Sequence, residues 1–121
     1  MRSVEQVRWD FVQQWLSKVA RDLEAARILL QSGIEDYENV GFHAQQAAEK
    51  FIKAFLVHHQ VEFPKIHYLA RLRSLVAQVD QDLARRLAPA DALTPYGVEF
   101  RYPGDLGEVS HDQGKETLWR A

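Results

Sequence analysis

The sequence predicts an all-α protein, an antiparallel bundle of four to five helices. Three observations support this prediction. Apolar residues recur at steps of three and four along two long stretches, residues 4–30 and 36–58, as they do on the buried side of a helix. The connection between the two stretches is short, which favours antiparallel neighbours. No segment shows the apolar–polar alternation of a strand, and there is no internal repeat.

The first predicted helix covers residues 4–30. Most of its charged residues, Asp22 among them, are assigned to the side away from the apolar stripe, which we expect to be buried. Gly33 follows as a stop signal, since glycine is common just beyond a helix C-terminus. At about 1.5 Å per residue the helix is roughly 40 Å long. The predicted stripe consists of Val4, Val7, Phe11, Val12, Trp15, Leu16, Val19, Leu23, Ala26 and Leu30.

The second predicted helix begins after Asp36, a suitable N-cap, and ends near His58. Small residues dominate its first half and allow a neighbouring helix to come close. Gly41 costs up to ~1 kcal/mol relative to alanine in a helix, so close packing is a reason for its presence. The predicted apolar line consists of Val40, Ala44, Ala47, Ala48, Phe51 and Phe55.

Shorter helical segments follow. Pro64 ends the second helical pattern, because proline does not fit a helix interior. Asp80 is a plausible cap for a short helix over residues 81–87. A third helix precedes it, with four residues predicted to face inward: Leu69, Leu72, Leu75 and Val76.

The last third of the chain is divided by prolines. Pro89 and Pro95 bracket a turn into another helical stretch, which we expect to end by Tyr102, since Pro103 disfavours helix at the preceding residue. Ser110 is a plausible cap for a final short helix over residues 111–120.

Composition narrows the possible functions. The 121 residues, 46% of them hydrophobic, predict one domain spanning residues 1–121. The net charge of −2 gives no overall basic field for nucleic acids, so such binding needs a local patch. There is no cysteine for a disulfide, a thiolate metal site or a thiol nucleophile. We find neither a signal peptide nor an apolar run of the ~20 residues that a membrane span needs, so we expect a soluble, cytoplasmic protein.

A polar strip accompanies the apolar line of the second helix. His43, Gln46, Lys50 and Lys53 follow one another at steps of three and four, and therefore lie within roughly one quadrant. Glu49 lies beside them, four residues before Lys53, a favourable ion-pair spacing. One interpretation is a solvated face, with lysine stems lying along apolar surface. The other is a groove whose lysines face an anionic ligand.

Metal binding and hydrolytic catalysis find little support. Helical metal sites use Glu-x-x-His pairs, and the one such spacing here, Glu108 and His111, begins in a predicted loop rather than on a helix. His58 and His59 are adjacent and point about 100° apart on a helix. No glycine-flanked serine in a strand–turn–helix context suggests a nucleophile. We therefore predict no metal and no cofactor.

Two arginine-containing regions have alternative interpretations. Arg101 and Tyr102 end a predicted helix, where a cation interacts favourably with the helix dipole; alternatively they contact the groove of the second helix. The second region belongs to the third and fourth helices and is either a solvated face or a phosphate-contacting patch. Its arginines are Arg71, Arg73, Arg85 and Arg86.

Four stretches together resemble the HEPN domain, the higher-eukaryote and prokaryote nucleotide-binding family. "WLSKVARDLEAARILLQSG" resembles its first helix and "YENVGFHAQQAAEKFIKAFL" its most characteristic one. "KIHYLARL" is similar to its His-x-Leu-x-x-Leu segment and "VEFRYP" to the end of a later helix. The resemblance implies an antiparallel bundle of mainly four long helices, often dimeric. Members are frequently partners of small nucleotidyltransferases, and several are toxins of toxin–antitoxin pairs.

This chain has some residues of the family pattern and lacks others. The ribonuclease branch has an arginine followed, after four to six residues, by a histidine, and this motif is absent: nine residues lie between Arg101 and His111, so cleavage is not implied. Ile66 replaces the usual small hydroxyl cap, and the C-terminal helix looks short, with Gly114 inside it. The residues that match are His43, Gln46, Glu49, Lys50, Lys53, His67 and Arg101.

The resulting hypothesis is a non-catalytic, prokaryotic module that binds a nucleotide or an RNA end and partners a small nucleotidyltransferase in a toxin–antitoxin-like pair. The alternative is a domain for dimerisation and protein association only; an RNA-cleaving toxin is disfavoured by the missing motif. A homodimer is expected because thirteen aromatic rings are more than one thin core hides, with the first helix and Trp9 as the interface. The candidate ligand-binding residues are His43, Gln46, Lys50, Lys53, His67, Arg101 and Tyr102.

Overall fold

The computed structural model describes residues 2–98, which are helical apart from short connections. The all-α prediction is confirmed, and the number of helices in this part of the chain lies within the predicted range. The predictions for Arg101, Tyr102 and the helix over residues 111–120 lie outside the described residues. The helices are α1 (Val4–Gln31), α2 (Tyr37–His58), α3 (Leu69–Val76), α4 (Gln81–Leu87) and α5 (Thr94–Val98), with a 3₁₀ segment (Ala88–Leu93) before α5.

Local side-chain caps define where the helices begin. At the start of α1, Ser3 and Gln6 form a reciprocal capping box, in which each side chain accepts a hydrogen bond from the other residue's backbone N–H. The predicted caps Asp36 and Asp80 are both confirmed: each carboxylate accepts a hydrogen bond from the backbone N–H three residues later, in α2 and α4. Beyond α1, Gly33 has φ +82°, a left-handed conformation that glycine adopts without strain.

The two long helices are antiparallel, as the short connection predicts. The rings of Trp9, near the start of α1, and His58, at the end of α2, lie 6.3 Å apart between centroids. In the middle of the pair, Asp22 contacts His43. Later residues of α1 therefore lie beside earlier residues of α2, so the two helices run in opposite directions.

The side of α2 facing away from α1 carries the core. The predicted inward residues of α3 are confirmed: Leu69, Leu72 and Val76 are fully buried and Leu75 packs against them. The first turn of α3 has no cap from its own neighbours. Instead, Thr94 Oγ1 accepts a hydrogen bond of 3.1 Å from the Leu69 backbone N–H. A hydroxyl from α5 thus caps a helix whose preceding residues, including Ile66, supply none.

The fifth helix packs closely on α2 through two glycines. A Cβ on Gly41 would overlap the Tyr96 ring, and one on Gly97 would lie 2.6 Å from the Gln45 side chain. The close approach predicted for Gly41 is therefore present, and its partner is α5.

The predicted buried stripe of α1 is only partly correct. Val12 and Ala26 are buried, but five of the predicted residues are exposed, by 37% to 81%: Val4, Val7, Phe11, Leu16 and Leu23. Phe51, predicted on the apolar line of α2, is also 38% exposed. The physical reason is that α1 packs chiefly against α2. A single neighbouring helix covers a narrower band of the α1 surface than its apolar residues occupy.

Candidate functional site

One buried carboxylate of α1 organises the first half of the polar strip. Asp22 accepts hydrogen bonds of 2.9 Å from His43 Nδ1 and 2.7 Å from Lys50 Nζ, one on each oxygen. The side chains of Asp22, His43 and Lys50 are 11%, 28% and 20% exposed. We call these three residues the Asp22 cluster. The assignment of Asp22 to the solvent side of α1 was therefore wrong.

A second buried carboxylate organises the other half. Glu49, 4% exposed, accepts hydrogen bonds from His67 Nδ1 at 2.9 Å and Gln45 Nε2 at 3.0 Å on one oxygen, and from Lys53 Nζ at 3.1 Å on the other. Gln45 is fully buried. We call Gln45, Glu49, Lys53 and His67 the Glu49 cluster. It connects α2 to the segment preceding α3 and confirms the Glu49–Lys53 pair predicted from spacing.

Two aromatic rings lie near the Lys53 ammonium. Lys53 Nζ lies 6.0 Å from the centroid of the Trp15 ring and 5.7 Å from that of Phe63, distances at which a cation is attracted to a π face. The Lys53 side chain is only 9% exposed. The solvated-face interpretation therefore does not hold for Glu49 and Lys53.

The two clusters share the same three kinds of side chain: a carboxylate, a lysine and a histidine. Each places one lysine and one histidine Nδ1 on a buried carboxylate. An ionised carboxylate only accepts hydrogen bonds, so each Nδ1 carries the hydrogen and the bond fixes the plane of the ring. The ring nitrogen that remains in each case is Nε2, and the His67 side chain is 61% exposed. The arrangement thus presents two oriented imidazoles beside two neutralised lysines.

A second surface feature is an apolar groove of about 180 Å³ between α1 and α2. It lies at the end of the pair where α1 begins, and it includes three of the exposed large apolar residues, Trp9, Leu16 and Phe51. Its lining consists of Trp9, Val12, Leu16, Phe51, Ala54, Phe55 and His58. We refer to it as the α1–α2 groove.

Comparison with known proteins identifies the family. The family model for the HEPN domain matches residues 12–121, which is most of the chain. The chain belongs to the HEPN domain family. Neither the curated proteins nor the solved structures contain a match to it. The all-α helical bundle expected from the resemblance is present, but within residues 2–98 only α1 and α2 are long, whereas the resemblance implies mainly four long helices.

Most of the residues that match the HEPN pattern lie around the two buried carboxylates. His43 and Lys50 meet at Asp22, and Lys53 and His67 meet at Glu49. Gln46 joins them indirectly, because its Nε2 donates a 2.8 Å hydrogen bond to Gln45 Oε1. Arg101 and Tyr102 lie outside the described residues.

Sequence reasoning missed two members of this site. Asp22 was assigned to the solvent side with the other charged residues, although it lies three residues after Val19 and four before Ala26, a spacing that indicates the inward side of α1. Gln45 lies four residues before Glu49, the spacing at which helical side chains meet. Both signals were present, but only the fold shows which partner each side chain has.

Three of the four arginines of α3 and α4 in this HEPN domain contact carboxylates. Arg73 binds Asp91 through Nε at 3.0 Å and a terminal nitrogen at 2.7 Å, which joins α3 to the 3₁₀ segment. The hydrogen bond that Arg73 donates to Asp91 raises the pKa of Arg73 above its ordinary value. Arg85 and Arg86, both largely exposed, contact Asp82.

The described part of this HEPN domain contains neither a metal site nor a membrane-spanning helix. Within residues 2–98, the histidine, aspartate and glutamate side chains form no group of three that is suited to hold a metal ion. None of the helices in the same range is long and apolar enough to span a membrane.

Proposed function

We propose that this HEPN domain is a non-catalytic module that holds a nucleotide or an RNA end beside Lys50, Lys53, His67 and Arg101. The observation that carries the proposal is the pair of clusters. Two buried carboxylates hold histidines and lysines in order, Asp22 where α1 meets α2 and Glu49 where α2 meets the segment before α3, and solvent retains access to His43, Lys50 and His67. Oriented donors at a partly enclosed surface suit recognition of phosphate oxygens.

The module is proposed to act with a small nucleotidyltransferase, in a toxin–antitoxin-like pair of a prokaryotic cytoplasm. Family membership supports this part of the proposal, since such pairs are frequent among HEPN proteins. A nucleotidyltransferase gene beside the gene for this chain, and co-purification of the two products after co-expression, are the results expected. Separate elution of the two products would argue against the pair.

Nucleotide binding is tested by ligand-induced stabilisation. A nucleotide at 100 times its dissociation constant adds about 2.7 kcal/mol to the free energy of unfolding, which raises Tm by roughly 10 °C for a domain of this size. We expect such a rise with at least one ribonucleotide and a smaller one in the Lys50→Gln variant. Each variant is compared with its own ligand-free Tm, because Lys50→Gln also weakens the contact with Asp22. An unchanged Tm with every nucleotide would favour the association function.

We predict no ribonuclease activity in the purified protein. Cleavage of RNA needs a group that titrates near neutral pH and a cation for the charge developing on phosphorus. The family's closely spaced arginine and histidine are missing, and Lys50 and Lys53 are already bound to carboxylates. The measurement is incubation of wild type, His43→Ala and His67→Ala with a mixed RNA pool. Cleavage by wild type that either substitution abolishes would make this protein an enzyme with a displaced histidine.

The second candidate function is association, and the α1–α2 groove favours it. Trp9, Leu16 and Phe51 are exposed by 49%, 38% and 38% around an apolar hollow, and exposed apolar patches mark interfaces. We propose a second copy of the chain as the occupant, because a two-fold interface pairs a surface with itself.

Light scattering across a dilution series tests the homodimer. We expect the mass of a dimer for wild type and of a monomer for Leu16→Glu and Phe51→Glu, since each places a charge in the apolar contact. The matched control is Ser17→Glu, an exposed position next to Leu16 but about 100° around α1. A monomeric wild type, or variants that remain dimeric, would reject the α1–α2 groove as the interface.

A further inference from the structure

The charges of the two clusters cancel before any ligand binds. Asp22 neutralises Lys50, and Glu49 neutralises Lys53. Helix α5, which packs against α2, contributes no carboxylate or ammonium, since its sequence is TPYGV. Lys18 of α1 is exposed, and its Nζ lies 5.6 Å from the centroid of the Trp15 ring. The lysines within the clusters therefore offer little net positive charge to an anion.

The imidazoles are the members of the clusters that can change this balance. Imidazole is the side chain whose charge ordinarily changes between about pH 5 and pH 8. His43 faces Asp22 and Lys50, and His67 faces Glu49, which it shares with Lys53. In each ring Nδ1 already donates to the carboxylate, so a second proton occupies Nε2 and makes it a charged donor.

We infer that His43 and His67, through Nε2, are the phosphate contacts of this HEPN domain, and that a phosphate-containing ligand binds together with protons. The inference rests on the proposed nucleotide- or RNA-binding function and names the atoms that perform it. Lys50 and Lys53 then position the carboxylates that hold the two rings. Glu49, which holds His67, is six residues beyond His43 on α2, about 9 Å along the helix axis and about 120° around it. The two rings therefore suit separate phosphates of an extended ligand, such as a short RNA.

Calorimetric titration with a short oligouridylate tests the inference, because its phosphodiester groups keep a constant charge over this range. We expect binding about tenfold tighter at about pH 5.5 than at about pH 8, the interval in which imidazole is titrated. By linkage, the complex must then take up protons, which repeating the titration in buffers of different ionisation enthalpy detects. His43→Gln and His67→Gln retain an amide donor for the carboxylate but do not titrate, so each should reduce the pH dependence and the proton uptake.

The control histidine is His59, which is exposed beyond the end of α2 and contacts the rings of Phe55 and His58. His59→Gln should bind as wild type does at both pH values. Circular dichroism and thermal unfolding of each variant confirm that it is folded under the titration conditions.

The outcomes separate this inference from the proposed function. Binding that is equal at both pH values, takes up no proton and is unchanged in His43→Gln and His67→Gln would overturn the inference but leave the binding module intact. Loss of binding in Lys50→Gln, with no effect of the histidine substitutions, would place the phosphate on the ammonium and also overturn it. No binding at either pH would remove the proposed function and the inference together.

Discussion

Replacing Glu49 by alanine is expected to lower the free energy of unfolding by about 3 to 5 kcal/mol, the cost of breaking a buried ion pair by removing one partner. Glu49 is 4% exposed and accepts hydrogen bonds from three side chains. Its loss leaves the Lys53 ammonium and the Gln45 amide buried without this acceptor. Urea or thermal unfolding monitored by circular dichroism measures the change.

Two further variants separate the contribution of the Glu49 charge to stability from that of the size of its side chain. Glu49→Gln keeps the size and one acceptor oxygen, so we expect a smaller loss than for alanine. In the double variant Glu49→Leu with Lys53→Met, both charges are removed. Because replacing a buried pair by apolar residues is often nearly neutral, it should recover part of the stability, though Gln45 still lacks its acceptor. Glu35→Ala, at an exposed position, is the control and should change stability by no more than about 0.5 kcal/mol. A Glu49→Ala loss as small as that of the control would contradict the importance of the Glu49 cluster.

Replacing Gly41 by alanine is expected to lower the free energy of unfolding by about 1 to 3 kcal/mol, the usual cost of overpacking. The added methyl group overlaps the Tyr96 ring, so α5 must move away from α2. The opposing gain in helix propensity is at most about 1 kcal/mol and does not offset the overlap. Thermal or urea unfolding of the variant provides the measurement.

A double-mutant cycle with Tyr96→Leu identifies the cause. If the Tyr96 ring is the obstacle, the cost of Gly41→Ala should be smaller in the Tyr96→Leu background. Gly33→Ala is the matched glycine control. Gly33 has nothing within 4 Å of an added Cβ, and its cost comes from φ +82° alone, so it should not depend on residue 96. An equal cost of Gly41→Ala in both backgrounds would show that the close approach to α5 is not the reason for this glycine.

Local interactions explain the parts of the fold that could be predicted. The helix starts at Asp36 and Asp80 and the stop at Gly33 depend on residues within one turn, and each is present as predicted. The Glu49–Lys53 pair is equally local, since residues four apart are neighbours on any helix. The residues that match the HEPN family also follow from the order of amino acids alone.

The tertiary structure decides which side of each helix is covered and by what. The spacing of His43, Gln46, Lys50 and Lys53 is compatible with a solvated face and with a groove, because periodicity places residues on a side without saying what packs there. The choice depends on Asp22, which is 21 residues from His43 and becomes its neighbour only when α1 and α2 pair. The exposure of Phe11 and Leu16 has the same origin: their apolar character is a property of the chain, whereas their burial depends on how much of α1 a neighbour covers.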